Sequence, residues 1–108
     1  MKATYWQKGE TKDYKNGGST LIEAGTVIAL KNRIGVAGTN IAVGETGSLH
    51  VTGVYEMAKK TGEAVLDGQM LYYDTTNSVV TTTEGDIVAG CAFQGKTSAD
   101  TIILVKID

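Results

Sequence analysis

The segment from Gly90 to Thr97 is the part of this chain that most resembles a ligand-binding motif. It matches the phosphate-binding loop pattern G-x-x-x-x-G-K-[ST] at four positions, Gly90, Gly95, Lys96 and Thr97. In such a loop, backbone amides at the start of a following helix hold the phosphates. Only 11 residues follow Thr97, and Thr-Ile-Ile-Leu-Val-Lys-Ile among them favours a strand. We therefore interpret the match as fortuitous and expect no nucleotide-binding site.

His50 is the only histidine and hence the only imidazole base that could activate a nucleophile. Ser48 and Thr52 lie two positions away, on the same predicted strand face. A triad also needs an orienting acid and an oxyanion hole, and no pattern in the sequence marks either. We predict that His50 is solvated or lies at an interface. Glu84 and Asp86 flank a glycine, which indicates a turn rather than an acid–base pair or a calcium loop.

The cysteine content excludes a disulfide-stapled secreted scaffold and a zinc module. Cys91 is the single cysteine, so it cannot form an internal disulfide, and no cysteine or histidine lies at metal-ligand spacing from it. We expect no metal and no cofactor.

The first residues lack the apolar core of a signal peptide, and no apolar run approaches the ~18 residues of a membrane span. We therefore expect neither a secreted scaffold nor a membrane protein.

The composition predicts an all-β fold in a single domain that covers residues 1–108. The chain has 14 glycines, 15 threonines and no proline, a mixture that favours strands and glycine-dependent turns. Short apolar or alternating segments recur between these turns, which is typical of a small antiparallel β-barrel or β-sandwich-like domain. The predicted strands are residues 4–8, 26–30, 33–37, 40–43, 48–57, 69–74, 79–83, 87–94 and 101–107.

Alternation assigns faces to three of these strands. In residues 48–57 the core face comprises Leu49, Val51, Gly53, Tyr55 and Met57. Residues 87–94 are apolar on both faces, which indicates a central strand with Cys91 in the core. Residues 101–107 are also apolar on both faces. A free edge of that composition promotes aggregation, so we expect it to be covered by barrel closure or by another subunit.

Charge divides the chain into an N-terminal arm, residues 1–20, and a body, residues 21–108. The arm has four lysines against two acids, whereas the body has six basic and ten acidic residues. Three of the seven aromatic residues also lie in the arm, and interfaces favour such side chains. We predict that Tyr5, Trp6 and Tyr14 form a docking surface, with Lys59 and Lys60 as a second contact patch.

Four segments of the body resemble one family of phage proteins. Gly53 to Lys59 is similar to a Gly-Val-Phe/Tyr strand that leads into a lysine loop, and Gly68 to Asp74 resembles Gly-Asp-x-Val-Tyr-Trp-Asp. Residues 79–82 resemble a short strand entering a threonine turn, and residues 88–92 a Val-Gly-x-Ala strand. These motifs, in this order, resemble those of small phage and prophage proteins predicted to be capsid cement, or head decoration, proteins.

The resemblance implies a structural protein of the virion that binds the outside of the assembled head and reinforces it without catalysis. The implied partner is the phage major capsid protein. A homo-oligomer follows from the same resemblance, with a trimer favoured. The implied location is the capsid surface, after synthesis in the bacterial host cytoplasm. Members of this family are often labelled RecA/RadA-like phage recombinases, but this chain lacks the length and the helices of such an ATPase.

Two other functions stay open at this stage. One is a small β-barrel that binds nucleic acid or another ligand, although the net charge of -2 is too small to indicate a polyanion partner. Nucleic-acid binding also needs a basic groove with stacking aromatic residues, and the body is acidic. The other is a P-loop enzyme built on Lys96.

Overall fold

The fold consists of nine short strands and no helix, in a computed structural model that describes residues 1–108. The strands are β1 (Thr11–Lys15), β2 (Val27–Ala29), β3 (Ile34–Ala37), β4 (Thr46–His50), β5 (Val54–Ala58), β6 (Met70–Asp74), β7 (Val79–Thr81), β8 (Val88–Ala92) and β9 (Ile102–Lys106). They form two antiparallel sheets with the orders β1-β4-β3-β2 and β5-β9-β8-β6-β7. The predicted all-β class is confirmed. No helix that could span a membrane is found.

Within the first sheet, β3 is buried on both faces because it contributes to two apolar clusters. Ile34 and Val36 point into the main core, whose other members are Met57, Val65, Leu71, Val80, Ala89, Ala92, Ile103, Val105 and Ile107. Ala37 points the opposite way and packs with Ile28 and Leu49 in a smaller cluster. The second sheet therefore covers one face of the first.

The second sheet curls, but it does not close into a barrel. Lys59, directly after β5, forms a single parallel bridge with Val80 of β7. The amide of Lys60 also donates to the Val80 carbonyl, at 2.9 Å. One bridge does not make a continuous ladder between the two edge strands. The sequence predicts either a small barrel or a sandwich-like domain, and the observed architecture is the sandwich-like one.

Most predicted strands contain an observed one, but two predictions are wrong and one strand was missed. Residues 4–8 are irregular and exposed, and within residues 40–43 only Ile41 forms an isolated bridge, with Ile22. The missed strand is β1, whose sequence Thr-Lys-Asp-Tyr-Lys has little apolar character. It nevertheless pairs with β4 along its whole length, from Thr11 opposite His50 to Lys15 opposite Thr46.

The predicted strand 48–57 is two strands that belong to different sheets. β4 ends at His50 and β5 begins at Val54. Gly53 between them has φ +118°, a value that residues with a side chain rarely adopt. The predicted core face is confirmed on both sides of this break. Leu49 and Met57 are buried, while Val51 and Tyr55 pack partly against the two clusters.

The C-terminal strand β9 lies between β5 and β8, so both its edges are covered within the chain. β8 is likewise internal, between β6 and β9. The prediction that Cys91 lies in the core is wrong, because this residue is half-buried. The pairing of β6 with β8 shifts register between Leu71 and Tyr72, and Cys91 lies opposite Met70 and Lys106.

Candidate interaction surfaces

The N-terminal arm is an exposed, irregular segment, residues 1–10, that precedes β1. Tyr5 and Trp6 are 79% and 88% exposed. Large aromatic side chains of this kind form the energetic centres of protein interfaces. Lys2 and Lys8 outnumber the single acid, Glu10, so the arm also presents positive charge. Of the residues that the sequence assigns to the arm, Thr11–Lys15 forms a strand of the first sheet.

The root of the arm is fixed by hydrogen bonds at both ends of β1. At the start, the amide of Val51 donates to the Glu10 carbonyl at 3.0 Å. Directly after β1, the buried Asn16 donates from Nδ2 to the carbonyls of Thr20 and Ile41 at 2.8 and 2.9 Å. Its Oδ1 accepts the amide of Gly18 at 3.0 Å. The arm therefore leaves the domain from a defined position.

Tyr14 differs from the other two aromatic residues of the predicted docking surface. It lies within β1, opposite Gly47, and packs partly against the small cluster of Ile28, Ala37 and Leu49. Its ring therefore contributes to the first sheet. The structure leaves Tyr5 and Trp6 as the aromatic side chains that are free of the domain.

The predicted basic patch of Lys59 and Lys60 is wrong for Lys59. The side chain of Lys59 is buried, with 3% exposure. Its ammonium donates to the carbonyls of Lys60 and Asp100 at 2.9 and 3.3 Å. Lys60 is exposed, so it alone presents a charge to a partner. The sequence places both residues in one loop and could not distinguish them.

Lys60 borders a polar cleft of about 330 Å³ at the ends of β6 and β7. Tyr72, Tyr73 and three carboxylates also line this cleft, the carboxylates being Asp74, Glu84 and Asp86. Stacking aromatic residues bind single-stranded nucleic acid only where the surrounding charge is positive. The acidic lining of this cleft therefore opposes a polyanion. No group of three or more His, Cys, Asp or Glu side chains in the molecule is arranged so that it could hold a metal ion.

Glu63 holds the threonine-rich turn after β7. Its carboxylate accepts the hydroxyl of Thr81 at 2.8 Å, the amide of Thr82 at 3.0 Å and the hydroxyl of Thr83 at 3.2 Å. Burial disfavours the charged form of this carboxyl, but the three hydrogen bonds and the nearby charge of Lys60 outweigh burial and lower its pKa. Glu63 is thus a structural anion.

The segment that matches a phosphate-binding loop forms a strand end and turns. Gly90 lies within β8, and Lys96 pairs with Val65 in an isolated antiparallel bridge. The amide of Thr97 donates to the carboxylate of Asp100 at 2.7 Å, and the Thr97 hydroxyl donates to the same oxygen at 3.1 Å. These two bonds lower the pKa of Asp100. The segment lacks the helix that a phosphate cradle requires.

His50 is half-buried beside a groove between the two sheets. Its ring centroid lies 6.3 Å from that of Tyr55, and the planes are tilted by 43°. The groove has a volume of about 360 Å³. Ser48 lies two residues before His50 in β4 and shares its strand face as predicted, whereas Thr52 lies beyond the end of β4. The solvated or interface position predicted for His50 stays a prediction.

One exposed surface was not predicted from the sequence, namely the outer face of the second sheet. Four large apolar side chains on this face are exposed, namely Val54, Met70, Phe93 and Ile102. The signal was present, because the segments that form β8 and β9 are apolar on both faces. That pattern predicts that both faces of the second sheet are covered, whereas the chain itself covers only the inner face.

Comparison with known proteins gives one match. The sequence model of a family described as phage cement protein matches residues 6–107. The matched range begins at Trp6, in the arm, and ends at Ile107, after β9. No curated protein and no solved structure matches the chain.

Proposed function

The chain belongs to the phage cement protein family, and on this basis we propose that it binds the outside of the assembled phage head and stabilises it without catalysis. The family match carries the proposal, because it covers nearly the whole chain, residues 6–107. The all-β fold and the exposed arm provide what a structural protein of a bacteriophage needs, a stable body and a segment that can reach a neighbour.

The mechanism is selective binding. A protein that binds across neighbouring subunits favours the assembled lattice over free subunits, because only the lattice presents both halves of the site. Any ligand that binds one state alone stabilises that state by RT ln(1 + [L]/Kd). This gain recurs at every equivalent site of the shell. A modest affinity at each site is therefore sufficient to reinforce the head.

The arm is the proposed contact with the major capsid protein. Tyr5 and Trp6 are nearly free of intramolecular contacts, so a partner can bury their rings at little cost to the domain. The lysines at positions 2 and 8 add positive charge, which favours an acidic region of the capsid subunit. The fixed root at Glu10 and Asn16 gives each copy the same starting direction on the lattice.

Lys60 is a second proposed contact, since its ammonium is exposed beside the polar cleft. Lys59 supports the shape of that loop from inside, and Tyr14 supports the first sheet. The partner set is the major capsid protein together with further copies of this chain, with a trimer favoured. The site of action is the capsid surface, after synthesis in the host cytoplasm.

Co-sedimentation with expanded empty heads tests the proposal. We expect the full-length protein to pellet with heads at a fixed ratio to the capsid subunit and to raise the temperature at which heads break. Deletion of residues 1–9 removes the arm and spares β1, so it is a cleaner test than a longer truncation. We expect that deletion, and Trp6→Ala, to reduce binding at least tenfold.

Leu21→Ala is the matched control, since this residue is exposed but lies outside the arm. It should bind heads like the wild type. If the full-length protein stays in the supernatant, the cement function is refuted. If the deletion variant binds as tightly as the full chain, the arm is not the contact and the body is.

A further inference from the structure

The outer face of the second sheet is an organised apolar surface. One row crosses four strands, with Val54 opposite Lys106, Lys106 opposite Cys91, and Cys91 opposite Met70. In the next row, Glu56 lies opposite Leu104, whose carbonyl accepts the amide of Phe93. Ile102 follows, opposite Ala58. We call Val54, Met70, Phe93, Ile102 and Leu104 the apolar sheet face.

This composition is unusual for a sheet face in water. Antiparallel sheets with one solvated face normally carry polar side chains there. Here Phe93 is 54% exposed, and Val54, Met70 and Ile102 are exposed as well. Contiguous apolar patches of this kind on a folded domain mark interaction sites. The β9 segment was predicted to need cover, and the chain covers its edges and its inner face only.

Two charges on the same face indicate what covers it. Glu56 and Lys106 are exposed on adjacent strands, at diagonal positions. Neither is in a salt bridge, since the one ion pair of the molecule joins Arg33 and Asp108. Lys96, which is half-buried, borders the same face beside Glu56, Ile102 and Leu104. A face that presents unpaired charges of both signs complements a copy of itself. A strongly charged partner would satisfy only one of the two.

We propose that the apolar sheet face is the contact with a second copy of this chain, with Glu56 of one copy beside Lys106 of the partner subunit. A two-fold dimer satisfies both charges, and so does a closed ring such as a trimer. The contact uses a different surface from the arm. The inference rests on the homo-oligomer proposed above and names the surface that forms it, but it does not depend on capsid binding.

The mass of the purified full-length protein in solution is the first measurement, by light scattering and sedimentation velocity over a wide range of concentration. We expect a defined oligomer. Phe93→Glu should reduce it to the monomer. Val43→Glu is the matched control, because Val43 is 52% exposed, compared with 54% for Phe93, and lies outside both sheets. That variant should keep the wild-type mass.

Charge reversal tests the pairing directly. Glu56→Lys makes positions 56 and 106 both positive, and Lys106→Glu makes them both negative, so each variant alone should be monomeric. An equal mixture of the two should recover an oligomer, because the faces of the two variants are complementary. Circular dichroism and thermal melting should show that both variants keep the fold.

Three outcomes would overturn the inference: a monomeric wild type at every concentration, a Phe93→Glu variant that keeps the oligomer mass, or a mixture that stays monomeric while both variants are folded. These outcomes differ from those that test capsid binding. A monomer that still co-sediments with heads would refute the contact between copies and leave the cement function intact.

Discussion

The ammonium of Lys59 donates a hydrogen bond to the backbone carbonyl of Asp100, with an Nζ to oxygen distance of 3.3 Å. A second bond, to the carbonyl of Lys60, measures 2.9 Å. Lys59 is 3% exposed, so these carbonyls replace the water that a surface lysine would have. The contact joins the loop after β5 to the loop before β9. A residue predicted to contact a partner is therefore part of the internal structure.

Replacing Lys59 with methionine should destabilise the fold. The substitution keeps most of the side-chain volume but leaves the carbonyls of Lys60 and Asp100 without a donor. A buried polar group that loses its partner costs about 1 to 3 kcal/mol. Urea denaturation should show this loss as a lower midpoint. Lys60→Met is the control and should change stability by less than about 0.5 kcal/mol. Equal effects of the two substitutions would contradict the assignment.

Much of the second sheet could be predicted from the sequence because its strands are apolar and bounded by glycine turns. β1 could not, because Thr-Lys-Asp-Tyr-Lys pairs through its backbone and has almost no apolar side chains. The break between β4 and β5 at Gly53 could not be predicted either. The alternation from Leu49 to Met57 continues across it, because both halves face the interior while belonging to different sheets.

The exposed residues of the proposed interaction surfaces could be predicted only where exposure follows from the sequence alone. Tyr5 and Trp6 are exposed because nothing in the polar arm can cover them. The two lysines after β5 are adjacent in sequence, and only the tertiary contact with Asp100 separates their roles. The apolar pattern of β8 and β9 predicted cover on both faces. Which face of the sheet is left exposed depends on the order of the strands, and the periodicity of the sequence does not specify that order.

Asn16→Ala should destabilise the domain by about 2 kcal/mol. The side chain of Asn16 is 2% exposed and makes three hydrogen bonds, to Thr20, Gly18 and Ile41. Its removal leaves the buried carbonyl of Ile41 without this donor. Chemical denaturation measures the effect. Asn40→Ala is the control, because Asn40 makes one exposed hydrogen bond, with the amide of Ala24. A loss no larger than that of the control would show that Asn16 does not anchor β1.

The stabilisation provided by Glu63 should depend on pH. Its pKa in the folded protein is lowered from 4.5, so the folded state favours the charged form. The contribution is therefore fully present above the ordinary pKa and is lost as the pH falls through the lowered one. Glu63→Gln should reduce the stability at neutral pH by about 1 kcal/mol. That difference should shrink in acid.

Thermal melting of Glu63→Gln and the wild type over a series of pH values checks this dependence. Glu45→Gln is the control, since Glu45 is exposed and lies directly before β4, away from the turn that Glu63 holds. Its melting curve should follow that of the wild type at every pH. A difference between Glu63→Gln and the wild type that stays constant from neutral pH to acid would show that the carboxylate charge is not involved.

Gly90→Ala should be the most damaging of these substitutions, because β8 and β9 approach each other closely at this position. Gly90 has φ +143°, a conformation that L residues with a side chain rarely adopt. A Cβ atom here would overlap the carbonyl oxygen of Lys106 and lie 2.9 Å from the Cα of Ile107. Both of these atoms belong to the backbone, so relief requires the strands to separate. The loss should exceed about 3 kcal/mol.

The control for this substitution is Gly17→Ala, since no atom lies within 4 Å of an added Cβ there. Its unfolding midpoint should lie close to that of the wild type. If Gly90→Ala does not accumulate as folded protein, hydrogen exchange in the wild type gives an independent measurement. The amide of Phe93 should then exchange slowly, because it follows β8 and donates to the carbonyl of Leu104 in β9. A Gly90→Ala variant as stable as the wild type would show that β8 and β9 are not this close.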